Sequence, residues 1–391
     1  MIGVTEALEL ISSTAITQHT KQIKLSKALN MVLANDVVSP INMPPFRQSA
    51  MDGYAIHLCN TTAYTLIDEI KAGDNLNPEL NCGEAVRIFT GAPVPDTATA
   101  VVMQEHITTN GNSINLQKLV VAHDNIRPKG EQIKQGDVAL KKGTKLNPAG
   151  IGYLATLGIT TVEIFQQPKI TIVVTGNELT PPGEQLHYGQ IYESNSVMLF
   201  NAIKNLGYDN IAIQQVNDDY HTTKTIIDTA IKTNDIVLLT GGISVGDYDF
   251  VGKALHDLQV DTVFYKVKQK PGKPLFFGTK HSTPVFALPG NPAAALTCFY
   301  IYVYPILLQM AGEVNSELPK TTATSVSTFE KKGGRAQFLK AIETNGEVTI
   351  LEGQSSAMLH TFALANALVL VPEEQQNINI GDLVQVIRLP Q

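Results

Sequence analysis

Apolar residues at Val4, Ala7, Leu8 and Ile11 recur on one face of a helix, with Thr5 near its start. From Phe46 to about Ile133 the pattern shortens to strand lengths in AYTLIDEI, AVRIFTG and AVVMQE. The Asn110-Gly111 pair in ITTNGNSINL then signals a hairpin. A helical period returns in NPAGIGYLATLGI, and the simplest arrangement packs residues 134–167 with 1–45, so 46–133 reads as an inserted β-rich domain. Between 168 and 315 strands and helices alternate: KITIVVTG, SVMLFNAIKNLG, NIAIQQV, HTTKTIIDTAIKT, DIVLLTGG, FVGKALHDL, TVFYKV, PLFFGT and PVFALPG. That alternation predicts a doubly wound, mostly parallel α/β domain with helices on both faces. Residues 316–391 revert to short strands, with Asn345-Gly346 between two alternating runs, and predict a small C-terminal β-barrel-like domain. The predicted fold is therefore multidomain: a helical N-terminal and linker domain, an inserted β domain, a central α/β domain and a terminal barrel.

Composition agrees with several cores, since 391 residues with 43% hydrophobic content exceed what one core sustains. Lys and Arg total 29 against 36 Asp and Glu, a net charge of −7, which excludes a general attraction to nucleic acid or anionic membrane. Any anionic ligand needs a local patch. Cys59, Cys82 and Cys298 are scattered with no C-x-x-C pair, and read as free thiols in a reducing compartment. Met1 to Ser12 carries Glu6 and Glu9 and does not resemble a secretion signal, so the expected location is cytoplasmic. Ala293 to Gly312 has no charge and is long enough to cross a bilayer. Its Tyr300, Tyr302, Tyr304, Gln309 and Pro305, and the α/β pattern before it, favour a buried helix.

Chemistry collects where apolar strands end. VVTGNEL, LLTGGISVGDYDF and LPGNPAAA each follow a strand, and in such sheets ligands bind outside the carboxyl ends. Gly241 and Gly242 permit close backbone approach, with Ser244 and Asp247 beyond them; Asn291 suits an N-cap and Pro292 the first helical turn, behind Pro289 and Gly290. Glu178, Asp218, Asp219, Asp247 and Asp249 suit Mg²⁺ held by one or two carboxylates and a substrate phosphate. Lys266, Lys268 and Lys270 alternate as if along one strand face, and Lys273 follows a Pro-Gly turn. Each of these residues also has an ordinary reading as a cap, a turn or a solvated edge. In PPFRQSAMDGYAI the prolines impose an extended segment, and Asp52-Gly53 reads as a turn dipeptide. No H-E-x-x-H pattern occurs.

PPFRQSAMDGYAI, RIFTGAPVP, AVVMQE, NIRPKGEQI, VVTGNEL, GQIYESNS, TGGISVGDYDF, KPGKP and LPGNP, in that order, resemble the molybdopterin molybdotransferases, the MoeA family, which includes the E domain of gephyrin. The resemblance covers essentially the whole chain. It implies a transferase of molybdenum cofactor biosynthesis that inserts molybdate into adenylylated molybdopterin, releases AMP and uses Mg²⁺. It further implies a homodimer whose active site lies at the subunit boundary, transient contact with the molybdopterin adenylyltransferase, and no nucleic-acid or membrane partner. By motif it implies Asp52 and Thr90 from the β domain, and Glu178, Asp218, Asp249, Lys270, Lys273, Pro289 and Pro292 from the α/β domain. Glu178, Asp218 and Asp249 would serve the metal; Arg127 matches a cleft arginine, and either Ser355 or Ser356 matches a family serine. The chain departs from the pattern at Asn177 and Gln132, where the family often has acids. Two other functions stay open at this point: a molybdopterin adenylyltransferase, whose family shares the loops of 238–250, and a non-catalytic pterin-binding scaffold.

Overall fold

The computed structural model describes residues 1–243 and 250–390, so Ser244, Asp247 and Asp249 lie outside the described residues. The chain divides into two compact units: Met1–Lys21, Asn30–Ala34 and Ile164–Gln391 in one, Gln22–Leu29 and Asn35–Glu163 in the other.

The larger unit is built on a six-stranded sheet in the spatial order Ile211–Val216, Ile170–Thr175, Ile236–Thr240, Thr283–Leu288, Phe276–Lys280, Asp261–Tyr265. The first four strands are parallel and the last two are joined antiparallel. Helices cover both faces, which is why the central strands read as unbroken apolar runs. Ile170, Ile172, Val174, Ile236 and Leu238 point to a core shared with Leu199, Ile203 and Phe299. The intervening Val173, Val237 and Leu239 point to a second core with Ile227, Ile231, Val251 and Leu255. The first helix, Val4–Ser13, buries Ala7 and Ile11 in the former.

The apolar segment is the helical run Pro292–Met310, and 83% of an 18-residue window of it is buried within the protein. Its middle, Phe299–Val303, widens into a π turn just ahead of Pro305. A proline has no N–H to return to the preceding turn, and a widened turn is one way for a helix to accommodate that loss. After it, strands Ala336–Thr344, Glu347–Ile350, Lys320–Ser325, Leu383–Arg388 and Ala367–Val371 close into a five-strand barrel, the last pairing back to the first. Thr344 faces Glu347 across the Asn345-Gly346 turn, both of whose residues adopt positive φ.

The smaller unit contains a six-stranded sheet in the order Ala100–Met103, Gly53–Ile56, Glu84–Ile88, Ala63–Ile70, Ser113–Leu116, Ile107–Asn110. The expected hairpin is present, with Asn110 opposite Ser113, so Gly111 and Asn112 form the turn. Helix Pro148–Thr156 starts at Asn147, whose side chain accepts from the Gly150 amide at 2.7 Å.

Three local expectations are corrected. Asp52-Gly53 does not form a turn as a pair: Asp52 lies in a bend, while Gly53 opens a central strand, and a Cβ there would lie 1.9 Å from the Val102 carbonyl oxygen. Cys59 and Cys82 are joined in a disulfide with their Cα atoms 5.7 Å apart, so only Cys298 is a free thiol. The reason is register: Ile56 faces Ala85, which brings the segments holding Cys59 and Cys82 to the same end of two neighbouring strands. Lys266, Lys268 and Lys270 do not share a strand, because the strand ends at Tyr265 and Lys266 turns out of it at φ 68°.

Candidate functional site

Between the second and third strands of the sheet, Ile170–Thr175 and Ile236–Thr240, the winding reverses direction, the position at which open α/β sheets leave a crevice. A cleft of about 1140 Å³ opens there. Its floor is shaped by glycine. Gly241 and Gly242 hold φ of 90° and 57°, and a Cβ on Gly241 would lie 2.3 Å from the Thr175 carbonyl oxygen.

Four other segments converge on this floor. Asn195 is 8% exposed and donates from Nδ2 to Thr240 Oγ1 and to the Gly290 carbonyl, each at 2.8 Å, tying the sheet end to the LPGNP loop. Beside it the buried Glu193 carboxylate accepts from the Ser196 amide at 2.8 Å and from its hydroxyl, holding the start of helix Asn195–Lys204. Asn291 stands at the N-cap position of its helix but does not cap it. Instead its Nδ2 donates to Ser356 Oγ at 3.0 Å, which makes Ser356, rather than Ser355, the serine bound to the LPGNP loop. Lys340, 3% exposed on the barrel, donates to the carbonyls of Gly353, Ser355 and Met358 and so fixes the loop that presents both serines. Burial pushes its ammonium below the usual lysine range. Replacing Lys340 by Met leaves those carbonyls without their donor, and is expected to cost about 2 kcal/mol in a urea unfolding titration.

Among the described residues the cleft is cationic. Lys270, Lys273 and Arg335 line it, with the acids Glu178 and Glu193. Glu193 is spent on Ser196, and Lys270 and Lys273 form no ion pair among the described residues. Pro289, Gly290, Asn291, Pro292, Ser355 and Ser356 also line it; Asp218 does not. Asp218 exchanges two hydrogen bonds with Asn177, accepting from its amide at 3.2 Å and donating its own amide to Oδ1 at 2.9 Å. Asp219 is a helix cap, accepting from the Thr222 amide at 2.7 Å. Among the described residues no three His, Cys, Asp or Glu side chains group as a metal site. Among the described residues Glu178 is the carboxylate at the cleft that could hold a magnesium ion together with ligand phosphate oxygens.

The smaller unit gathers a second cluster. Asp52 Oδ1 accepts from the Thr90 amide at 2.7 Å and from the Thr90 hydroxyl at 2.8 Å. Gln48 donates to the Gly91 carbonyl, and Arg127 faces Gln48 in register, so Asp52, Thr90 and Arg127 belong to one group of exposed loops. Arg47 has a structural task, donating to the carbonyls of Pro95, Asp96 and Ala98. The Thr90 amide, then its hydroxyl, then the Arg87 charge outweigh a small burial effect and hold the Asp52 carboxyl below its ordinary 3.8. The stabilisation this provides is present above that ordinary value and is lost as pH falls through the depressed one. Thr90→Val removes the hydroxyl and keeps the amide. The Asp52 carboxyl, followed by ¹³C NMR, is then expected to titrate at a higher pH but still below 3.8.

Glu193, Asn195, Gln269, Arg335 and Lys340 were not singled out from the sequence. GQIYESNS carried a signal for the first two as part of an ordered motif. Arg335 had none, because it reaches the cleft only through parallel pairing of Gln269 with Ala336 at the barrel edge.

Comparison with known proteins is consistent along the whole chain. Residues 2–158 match the MoeA N-terminal region (domain I and II), 171–309 a probable molybdopterin binding domain, and 322–389 the MoeA C-terminal region (domain IV). A molybdopterin molybdenumtransferase of Haemophilus influenzae is 32% identical over 388 residues, covering 97% of this chain and 96% of that one. One from Staphylococcus aureus is 31% identical over 398 residues, covering 99% and 95%. Two crystal structures of the molybdopterin biosynthesis MoeA protein from Pyrococcus horikoshii superpose with TM-scores of 0.87 and 0.84 at 30% and 29% identity, covering 99% and 100% of both chains.

Proposed function

The chain belongs to the MoeA family, and from that premise we propose that it is a molybdopterin molybdenumtransferase, inserting molybdate into adenylylated molybdopterin with release of AMP. The observation that carries this reading is the convergence of the KPGKP lysines, the LPGNP loop and the Ser355-Ser356 loop on one cationic cleft at the sheet's switch point. Molybdate and a diphosphate-linked adenylyl group are both anionic, and on a chain of net charge −7 only such a patch attracts them. Lys270, Lys273 and Arg335 offset the oxyanion charge, and the glycine floor lets a diphosphate approach the backbone. Magnesium, bound through Glu178 and the diphosphate, would neutralise charge on the phosphate oxygens.

Asp52 and Thr90 are proposed to act on the cleft of a second copy, in a homodimer that works in the cytoplasm and meets the adenylyltransferase transiently. Their support is the resemblance by motif, together with the exposure of a carboxylate kept ionised by its neighbours.

The test is to supply adenylylated molybdopterin, Mg²⁺ and molybdate and to follow AMP. Molybdate-dependent AMP release supports the reading. ATP consumption would instead indicate an adenylyltransferase, and binding without release a scaffold.

A further inference from the structure

The KPGKP turn is held from beneath by a buried polar group, Gln269. Gln269 is fully buried directly before Lys270. Its Nε2 donates to the carbonyls of Pro271 at 3.1 Å and Gly272 at 3.2 Å, and lies 3.4 Å from Cys298 Sγ. Its Oε1 accepts from the hydroxyl of Tyr302, itself fully buried in the π turn of the apolar helix. Every hydrogen-bonding atom of this amide is thereby used, and its orientation is determined: Nε2 must face the two carbonyls, and Oε1 the hydroxyl.

The turn has no alternative seat. Gly272 sits at φ 86°, and a Cβ there would lie 2.4 Å from Cys298 Sγ and 2.8 Å from Gln269 Nε2. From the other side the backbone of Gln269 is pinned by parallel pairing with Ala336, and its carbonyl accepts from Arg335 Nη1 at 3.3 Å. Gln269 thus joins the helix, the turn and the barrel edge at the place where Lys270, Lys273 and Arg335 enter the cleft. Lys270 and Lys273 are exposed, long side chains, so the position of their charges depends on how firmly the backbone between them is held.

We propose that the Gln269–Tyr302 pair is a positioning device for oxyanion binding: it fixes the turn between Lys270 and Lys273 so that both ammonium groups meet one tetrahedral oxyanion. This rests on the molybdate site proposed above and adds to it the buried pair that supports its lysine turn. Gln269→Leu keeps the volume and removes the hydrogen bonds, while Tyr302→Phe removes one hydroxyl and preserves the packing.

The experiment measures molybdate binding to the full chain by calorimetry, for each variant alone and combined with Lys273→Ala, alongside the KM for molybdate and for adenylylated molybdopterin. Gln269→Leu is expected to weaken molybdate binding about tenfold and Tyr302→Phe about threefold, with the KM for the pterin within about twofold of the unaltered protein. In the Lys273→Ala background Gln269→Leu should add about a threefold loss rather than a tenfold one, since one of the two lysines it positions is gone and Lys270 remains. Unchanged molybdate affinity in both single variants overturns the inference, as does a full multiplicative loss in the Lys273→Ala background. Turnover is scored separately. An unaltered protein that binds molybdate but releases no AMP overturns the proposed reaction and leaves the positioning inference to the affinity ratios; one that binds no molybdate overturns both.

Discussion

Asp52→Ala is expected to lower AMP release about a hundredfold while the protein stays folded. Asp52 is exposed, and among the described residues its carboxylate accepts hydrogen bonds from the Thr90 amide and hydroxyl alone, so its removal breaks no core and opens no cavity. The lost contribution is the charge and the loop position it enforces. Lys273→Ala on its own should be similarly impaired, because it removes a cation that has no ion-pair partner among the described residues. Mixing the two inactive variants then distinguishes action within a subunit from action across a dimer. If Asp52 serves the partner's cleft, half of the randomly exchanged dimers carry one intact site, and activity returns to about a quarter of the unaltered level. No recovery after verified subunit exchange places Asp52 with its own cleft or removes it from the reaction.

Gly53→Ala should be among the most destabilising single substitutions in the smaller unit, by about 3 kcal/mol in a denaturant titration. The added Cβ would stand 1.9 Å from the Val102 oxygen and 2.8 Å from its carbonyl carbon. Those are backbone atoms of a paired neighbouring strand, with Gly53 opposite Met103 and also opposite Ile88 on the other side, so neither strand can retreat without losing its ladder. The same displacement would move Asp52, so AMP release should fall along with stability. A wild-type unfolding midpoint for Gly53→Ala would show that close strand approach is not why glycine occupies this position.

The elements easiest to read were those whose local pattern and burial demand the same thing. Ile170–Thr175 and Ile236–Thr240 are apolar on both faces because both faces are covered, and Asn345-Gly346 forms a turn because both residues accept positive φ. Lys266 was harder, since alternation cannot report that the chain leaves the sheet there; Val267 instead bridges to Ile2 near the other end of the sequence. Cys59 and Cys82 were read as separate thiols because strand register, not spacing, decides whether they meet.

By itself the sequence determined the fold class, the family and the ordered motifs that carry it, since all of these are local strings or periodic patterns. Tertiary structure decided which candidates share a cleft: Lys270, Lys273 and Ser356 do, whereas Asp218 is engaged by Asn177 and Asp219 by its own helix. It also added Asn195, Gln269, Arg335 and Lys340, whose partners lie far along the chain or are main-chain carbonyls. A hydrogen bond to a carbonyl leaves no mark on residue type at the accepting position, so such contacts become visible only when the backbone is in place.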